Sequence, residues 1–272
     1  MLRMIGIFPH PPIVLPEVGR NEWVKVKQTH ESMEELAKDF AEAGIKKVVV
    51  ISPHGPSFRD AILINNDEEM HGDLKNFNYD KEYRFRNDLE TAKKIYRHPK
   101  NSAGIFVETN PEGSRSYTMR HSLDHGVLVP LYFLEKEIAE LEIVTVSPGF
   151  LSEKELLSAG EILRDVLDSH EEPYGIVISA DLSHRLDKDA YYGFSPAGPV
   201  FDQEICDAIE ENRLEDIVKI NEDIIKEAGQ CGYIPLTILV GAVKNKDYDS
   251  KLYSYEHPFG VGYLVASVTA ER

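Results

Sequence analysis

Short apolar runs rich in β-branched residues alternate with longer amphipathic stretches along almost the whole chain, and this rhythm constrains the fold more than any other feature. The runs at 4–8, 47–51, 61–64, 105–108, 143–146, 176–180 and 262–268 are of strand length. Most are apolar throughout rather than alternating, which calls for burial on both faces. Between the first two, Met33, Leu36, Ala37, Phe40 and Ala41 recur at helical spacing up to Gly44. Ser152 and Glu155 have the spacing of a capping box, and Leu156, Ala159, Ile162, Leu163 and Val166 follow on one face. Further helices are expected over 87–96, 123–133, 201–209, 221–227 and 235–243. The reading is an α/β fold: a single domain over residues 1–272, with a mostly parallel or mixed central sheet and helices on both faces. The segment 66–86 is polar and aromatic without a clear period, and is expected to be a long surface excursion of the kind that forms lids.

Three histidines fall just after strand runs: His10 in FPHPP, His54 in SPHGP and His184 in SADLSH. Ligands of open α/β sheets gather outside the carboxyl ends of the strands, so imidazoles delivered there by different strands would converge. Imidazole is both a common metal ligand and the side chain that titrates near neutrality, and either role fits. Pro9, Pro11, Pro53, Gly55 and Pro56 restrict or sharpen the backbone beside two of them. His125, with Asp124 beside it, is expected to orient a substrate oxygen or simply to begin a helix. His30, His71, His98, His121 and His170 read as surface residues, and His257 is left open.

Charge and cysteine content narrow the partners. Forty-seven acidic against 30 basic residues give a formal charge of −17, with no Lys/Arg cluster longer than a pair, so neither nucleic acid nor an acidic membrane is an expected partner. Pro9 to Pro12 interrupt the first apolar stretch and no apolar run reaches membrane-spanning length, so the chain is read as cytoplasmic. Cys206 and Cys231 do not form a disulfide framework and are read as thiols, leaving Cys231 available for metal chemistry. No HExxH, Walker-type or GxSxG motif occurs, which weakens hydrolase and nucleotide readings, although three ligands and a water would also suit a zinc hydrolase.

Taken in order, PHPPIVLPEVG, ISPHGP, LDHGVLVPLYF, SADLSHRL, EAGQCGYIPLTILVGA and SYEHPFGVGYLVA resemble the LigB-type branch of the class III extradiol dioxygenases, to which the Memo proteins are related. The blocks run from Pro9 to Ala266. The resemblance implies a mononuclear non-haem iron(II) held by two histidines and a carboxylate, with O2 and a small catechol-type aromatic as substrates. It makes His10 and His54 the histidine ligands, His184 the acid/base residue and His125 a second substrate-facing histidine. The third ligand is open between Cys231, where the Memo-like pattern has a cysteine, and Glu227. A thiolate would favour zinc, copper or a differently tuned iron. For Cys231 the plainer alternative is a buried small hydrophobe. Asp181 also faces the site in the Memo-like pattern, or else is a turn or capping residue. Tyr255, Glu256 and His257 line the cleft mouth or form a turn. Two functions follow: oxygen insertion into a catechol, or a Memo-like metal-binding or redox-accessory role without ring cleavage. Homo-oligomer formation is left open.

Overall fold

A computed structural model describes residues 1–109 and 122–270. The first half contains β1 (Leu2–Phe8), α1 (Pro16–Gly19), α2 (Lys27–Glu42), β2 (Lys47–Ile51), β3 (Ile62–Ile64), β4 (Glu69–Leu74), β5 (Tyr79–Asn87), α3 (Leu89–Tyr96), β6 (Phe106–Glu108) and β7 (Ser122–Leu123). The second contains α4 (His125–Glu137), β8 (Glu142–Ser147), α5 (Glu153–Asp168), β9 (Tyr174–Ser179), α6 (Ala197–Glu210), α7 (Glu222–Ala228), α8 (Tyr233–Val243), β10 (Tyr248–Glu256) and β11 (Tyr263–Ala270). Among the described residues these make an α/β single domain around a mixed, mostly parallel sheet of eleven strands, ordered β10-β11-β1-β9-β2-β8-β5-β4-β7, with β3 and β6 branching from β8.

The centre of the sheet is parallel, as the continuous apolar runs require: β9 pairs with β1 on one side and β2 on the other, and β2 pairs with β8. Strand pleating divides the side chains. Ile5, Ile7, Val49 and Ile51 pack with α3, α5, α6 and α8, while Met4, Phe8, Val48 and Val50 pack with α2 and α4. The register then positions the site. Phe8 lies beside Ser179 and Ile51 beside Ile178, so three adjacent strands end at one level. Pro9, Pro11 and Pro12 lack the N–H groups needed to extend β1, and the chain turns away there.

Two segments differ from the sequence expectation. Residues 66–86 are not an irregular excursion: β4 and β5 form an antiparallel hairpin, and β5 joins the sheet beside β8. The signal was present in β5, where Tyr83, Phe85 and Asn87 alternate inward with exposed charged residues, but the polar partners diluted it. Likewise β10 was not expected, because its half-buried alternation contains Asp249, Ser250 and Lys251. His30 is not at the surface. It is 6% exposed, its ring bonds the Val14 carbonyl at 2.8 Å, and it packs between Trp23 and Phe133. His121 lies outside the described residues. No helix among the described residues is long and apolar enough to cross a membrane.

Candidate metal centre

His10 leaves the end of β1 into the interior, 1% exposed. Its backbone N–H donates to Asp181 Oδ1 at 2.8 Å, tying the turn after β1 to the turn after β9. The ring nitrogens are distinguished by their partners. Ser179 Oγ lies 2.8 Å from Nδ1 and 2.5 Å from the Gly126 carbonyl oxygen. A serine hydroxyl has one proton, and the carbonyl can only accept it, so Ser179 accepts from His10 Nδ1–H. The His10 Nε2 lone pair therefore points into the site.

There it meets Nε2 of His54 at 2.9 Å. Two nitrogens bound to one ion at the usual ~2.0–2.1 Å, and about a right angle apart, would have this separation. His125, the first residue of α4, stacks on His54 with ring centroids 4.4 Å apart and sits edge-on to His10 at 5.6 Å. Asp124 caps α4, accepting from Val127 N–H and from the Ser52 hydroxyl at 2.7 Å, which links the turn after β2 to the helix carrying His125. One donor atom from each of His10, His54 and His125 lies within 4.8 Å of the others, a group able to share one ion.

Cys231 approaches from another side. Its Sγ is 3.5 Å from His10 Nε2 and 3.8 Å from His184 Nε2. His184 is held through its neighbours: Ser183 donates its N–H to Asp202 and its hydroxyl to the Ala228 carbonyl. Asp181 Oδ2 is 3.7 Å from His10 Nε2. Glu227 lies elsewhere; its carboxylate accepts from the Arg185 guanidinium at 3.3 Å and is largely exposed. Tyr255 bonds Asp202 and Glu256 bonds Thr29 as β10 ends, leaving His257 exposed in the turn toward β11.

Burial dominates the electrostatics. It lowers His10 well below the ordinary histidine value, and the like charges that His54, His125 and His184 would carry lower it further. Desolvation also lowers His54, although that residue reaches the surface, and His184, and it brings His125 down to about 4, with His54 adding to the effect. The four imidazoles are thus neutral near pH 7, the form that donates a lone pair to a metal. Asp181 is raised to about 7 by burial against the opposing His10 N–H, and the Cys231 thiol is raised by burial and then by Asp181. A cation among these groups would oppose both latter effects. Neutral nitrogen donors at 2.9 Å, a thiol beside them and a fixed tautomer fit a divalent transition metal.

Sequence reasoning passed over Ser52, Ser179 and Gly126. All three stand inside the histidine motifs, but a serine in a turn gives no sign of which ring nitrogen it will meet.

Comparison with known proteins covers nearly the whole chain. The family model described as the catalytic LigB subunit of aromatic ring-opening dioxygenase matches residues 5–266. Protein CA_C1420 of Clostridium acetobutylicum is 35% identical over 267 residues, covering 97% of this chain and 57% of that protein. The chain thus spans little more than half the length of the curated relative it matches. The crystal structure of uncharacterized protein JW3007 from Escherichia coli K12 is similar with a TM-score of 0.65 and 16% identity, over 98% of this chain and 99% of that one. That likeness concerns the fold.

Proposed function

The chain belongs to the family of catalytic LigB subunits of aromatic ring-opening dioxygenases, and from this we propose that it is a non-haem metal-dependent oxidoreductase inserting O2 into a catechol-type aromatic. The observation carrying the proposal is the pair of facing imidazole nitrogens, His10 Nε2 and His54 Nε2, 2.9 Å apart, with the His10 tautomer fixed by Ser179. These two residues would hold the metal, with Cys231, 3.5 Å from His10 Nε2, as the third protein donor; His125 also offers a ring nitrogen within 4.8 Å of theirs. Glu227 is the less favoured donor because its carboxylate is engaged by Arg185. The metal, iron(II) in this reading, supplies Lewis acidity and a route for electrons between a catecholate and oxygen.

The remaining chemistry belongs to the chain. His184, kept neutral by burial, accepts a proton at Nε2 from a catechol hydroxyl and can return it to the product. His125, also neutral, hydrogen-bonds a second substrate oxygen. Asp181 holds the His10 backbone and so the direction of its ring.

A second reading, a metal-binding or redox-accessory role without ring cleavage, is favoured by one observation: a thiol 3.5 Å from His10 Nε2, a soft donor suited to zinc or copper. Protein purified without oxygen and analysed for metal, then assayed for oxygen uptake with a panel of catechols, separates the two. Iron with stoichiometric uptake supports the dioxygenase, and zinc or copper without uptake supports the accessory role; metal lost in Cys231→Ser but kept in Glu227→Gln identifies Cys231 as the third donor in either case.

A further inference from the structure

Two aromatic rings border the histidine group, and the functional reading above leaves both unused. Phe77, at the tip of the β4–β5 hairpin, has its ring centroid 5.4 Å from that of His125. Tyr192 has its ring 5.2 Å from that of His184. The two histidines that face substrate in the proposed reaction thus each carry an aromatic ring, one delivered by the sheet and the other by a loop.

The loop is an ordered flap. Across residues 185–195 the chain doubles back, with Leu186 bridged to Phe194 and the Ser195 N–H donating to the Arg185 carbonyl at 2.9 Å. Its base is fastened on two sides: Leu186 N–H donates to the Gly260 carbonyl at 3.1 Å, and the Arg185 guanidinium donates to the Glu227 carbonyl and carboxylate. On this fastened base the chain exposes Tyr191 (94%), Tyr192 (55%) and Phe194 (39%). Exposed large apolar side chains gathered in one patch are a mark of contact with another molecule rather than of core packing. Aromatic pairs prefer centroid separations of about 4.5–7 Å with tilted or offset rings. The Tyr192 and Phe77 contacts with the histidines fall in that range, so each ring is packed against a histidine that the reading above turns toward substrate.

We infer that Tyr192, with Phe77, is a substrate-positioning element: the two rings form the walls of a slot for the aromatic ring of the substrate, and Tyr192 selects flat aromatic over aliphatic diols. The inference rests on the proposed reading of the site. It gives the Arg185–Glu227 pair a purpose apart from metal binding, namely holding the flap at its base.

The test titrates the full chain, carrying the metal with which it purifies, with two chromophoric probes: 4-nitrocatechol, which can chelate the metal and change its visible spectrum, and 4-nitrophenol, which cannot chelate. Tyr192→Ala is expected to weaken 4-nitrocatechol binding about five- to tenfold. Tyr192→Phe, which keeps the ring, is expected to bind as wild type, with metal content unchanged in both. Phe77→Ala is expected to weaken binding in the same direction. Wild-type affinity in Tyr192→Ala overturns the inference while leaving the dioxygenase reading intact. Binding of 4-nitrophenol without 4-nitrocatechol, with the same dependence on Tyr192, supports the slot and removes the catechol reading. Failure of both probes to bind wild type overturns the inference.

Discussion

At the scale of single residues, the candidate site is organised by who donates to whom. Ser179 donates its hydroxyl hydrogen bond to the Gly126 carbonyl and so accepts from His10, and this one bond fixes which nitrogen faces His54. The four neutral imidazoles are chemically alike but differently supported, which leads to a division of labour. His10→Ala and His54→Ala are expected to lose tight metal binding. His184→Ala is expected to retain metal while turnover of a catechol falls by ~10² to 10⁴-fold, the usual contribution of a positioned acid/base group. Metal content by elemental analysis and oxygen uptake on the same preparations measure the two effects separately. Equal metal loss in all three variants would make His184 a ligand.

At the scale of elements, the position of Cys231 depends on a helix pair some distance from the candidate metal site. Cys231 immediately precedes the α8 N-cap Gly232, and α8 is buried on nearly every side because it packs between α5 and the sheet. Its closest approach to α5 uses two glycines. A Cβ on Gly160 would overlap the Ile238 carbonyl, and one on Gly241 would overlap the Leu157 carbonyl, so the two backbones touch directly. Gly160→Ala must push the helices apart. Its expected cost is ~1–3 kcal/mol, as for other overpacked cores, measured by urea unfolding. Because the shift moves the start of α8, metal affinity in the same variant should also fall. Unchanged stability and affinity would show that the contact is easily relaxed.

At the scale of the whole molecule, the sheet has two chemically opposite poles. Its carboxyl edge gathers neutral histidines, whereas at the other end of β2 Lys47 Nζ lies 2.8 Å from Glu172, 3.4 Å from Glu142 and 3.6 Å from Asp88. Asp88 also caps α3 and accepts from the Tyr174 hydroxyl at 2.6 Å and the Thr91 hydroxyl at 2.7 Å, so one carboxylate joins α3, β2 and β9. Burial pushes its pKa up, but the bonds from Tyr174 and Thr91, with Lys47, outweigh burial and hold it below the ordinary value. As pH falls, the unfolded chain therefore takes up this proton before the folded one does. The stabilisation is complete above the unfolded value of ~4 and disappears as pH drops through the folded value. Asp88→Asn is expected to cost about 1–3 kcal/mol at neutral pH. It should also flatten the loss of stability below about pH 4, measured by thermal unfolding across that range. An acid limb identical to wild type would move the effect to other carboxylates.

The sequence by itself determined the alternation of strands and helices, and with it the sheet edge at which His10, His54 and His184 emerge. Continuous apolar runs such as 47–51 can be satisfied only by burial on both faces, and a proline-flanked histidine can only follow such a strand, not extend it. The capping box at Ser152 was equally plain, and the structure contains both of its hydrogen bonds. The β4–β5 hairpin was harder to read because its strands bury only one face, so charged and apolar residues alternate and the apolar signal is halved. Only the tertiary structure decided what surrounds each histidine. The bond from His10 to Ser179, the approach of Cys231 from α8, the engagement of Glu227 by Arg185 and the aromatic rings beside His125 and His184 join residues far apart in the chain. Such contacts depend on strand register and helix packing distance, quantities set by the sum of many side-chain volumes and carried by no local pattern.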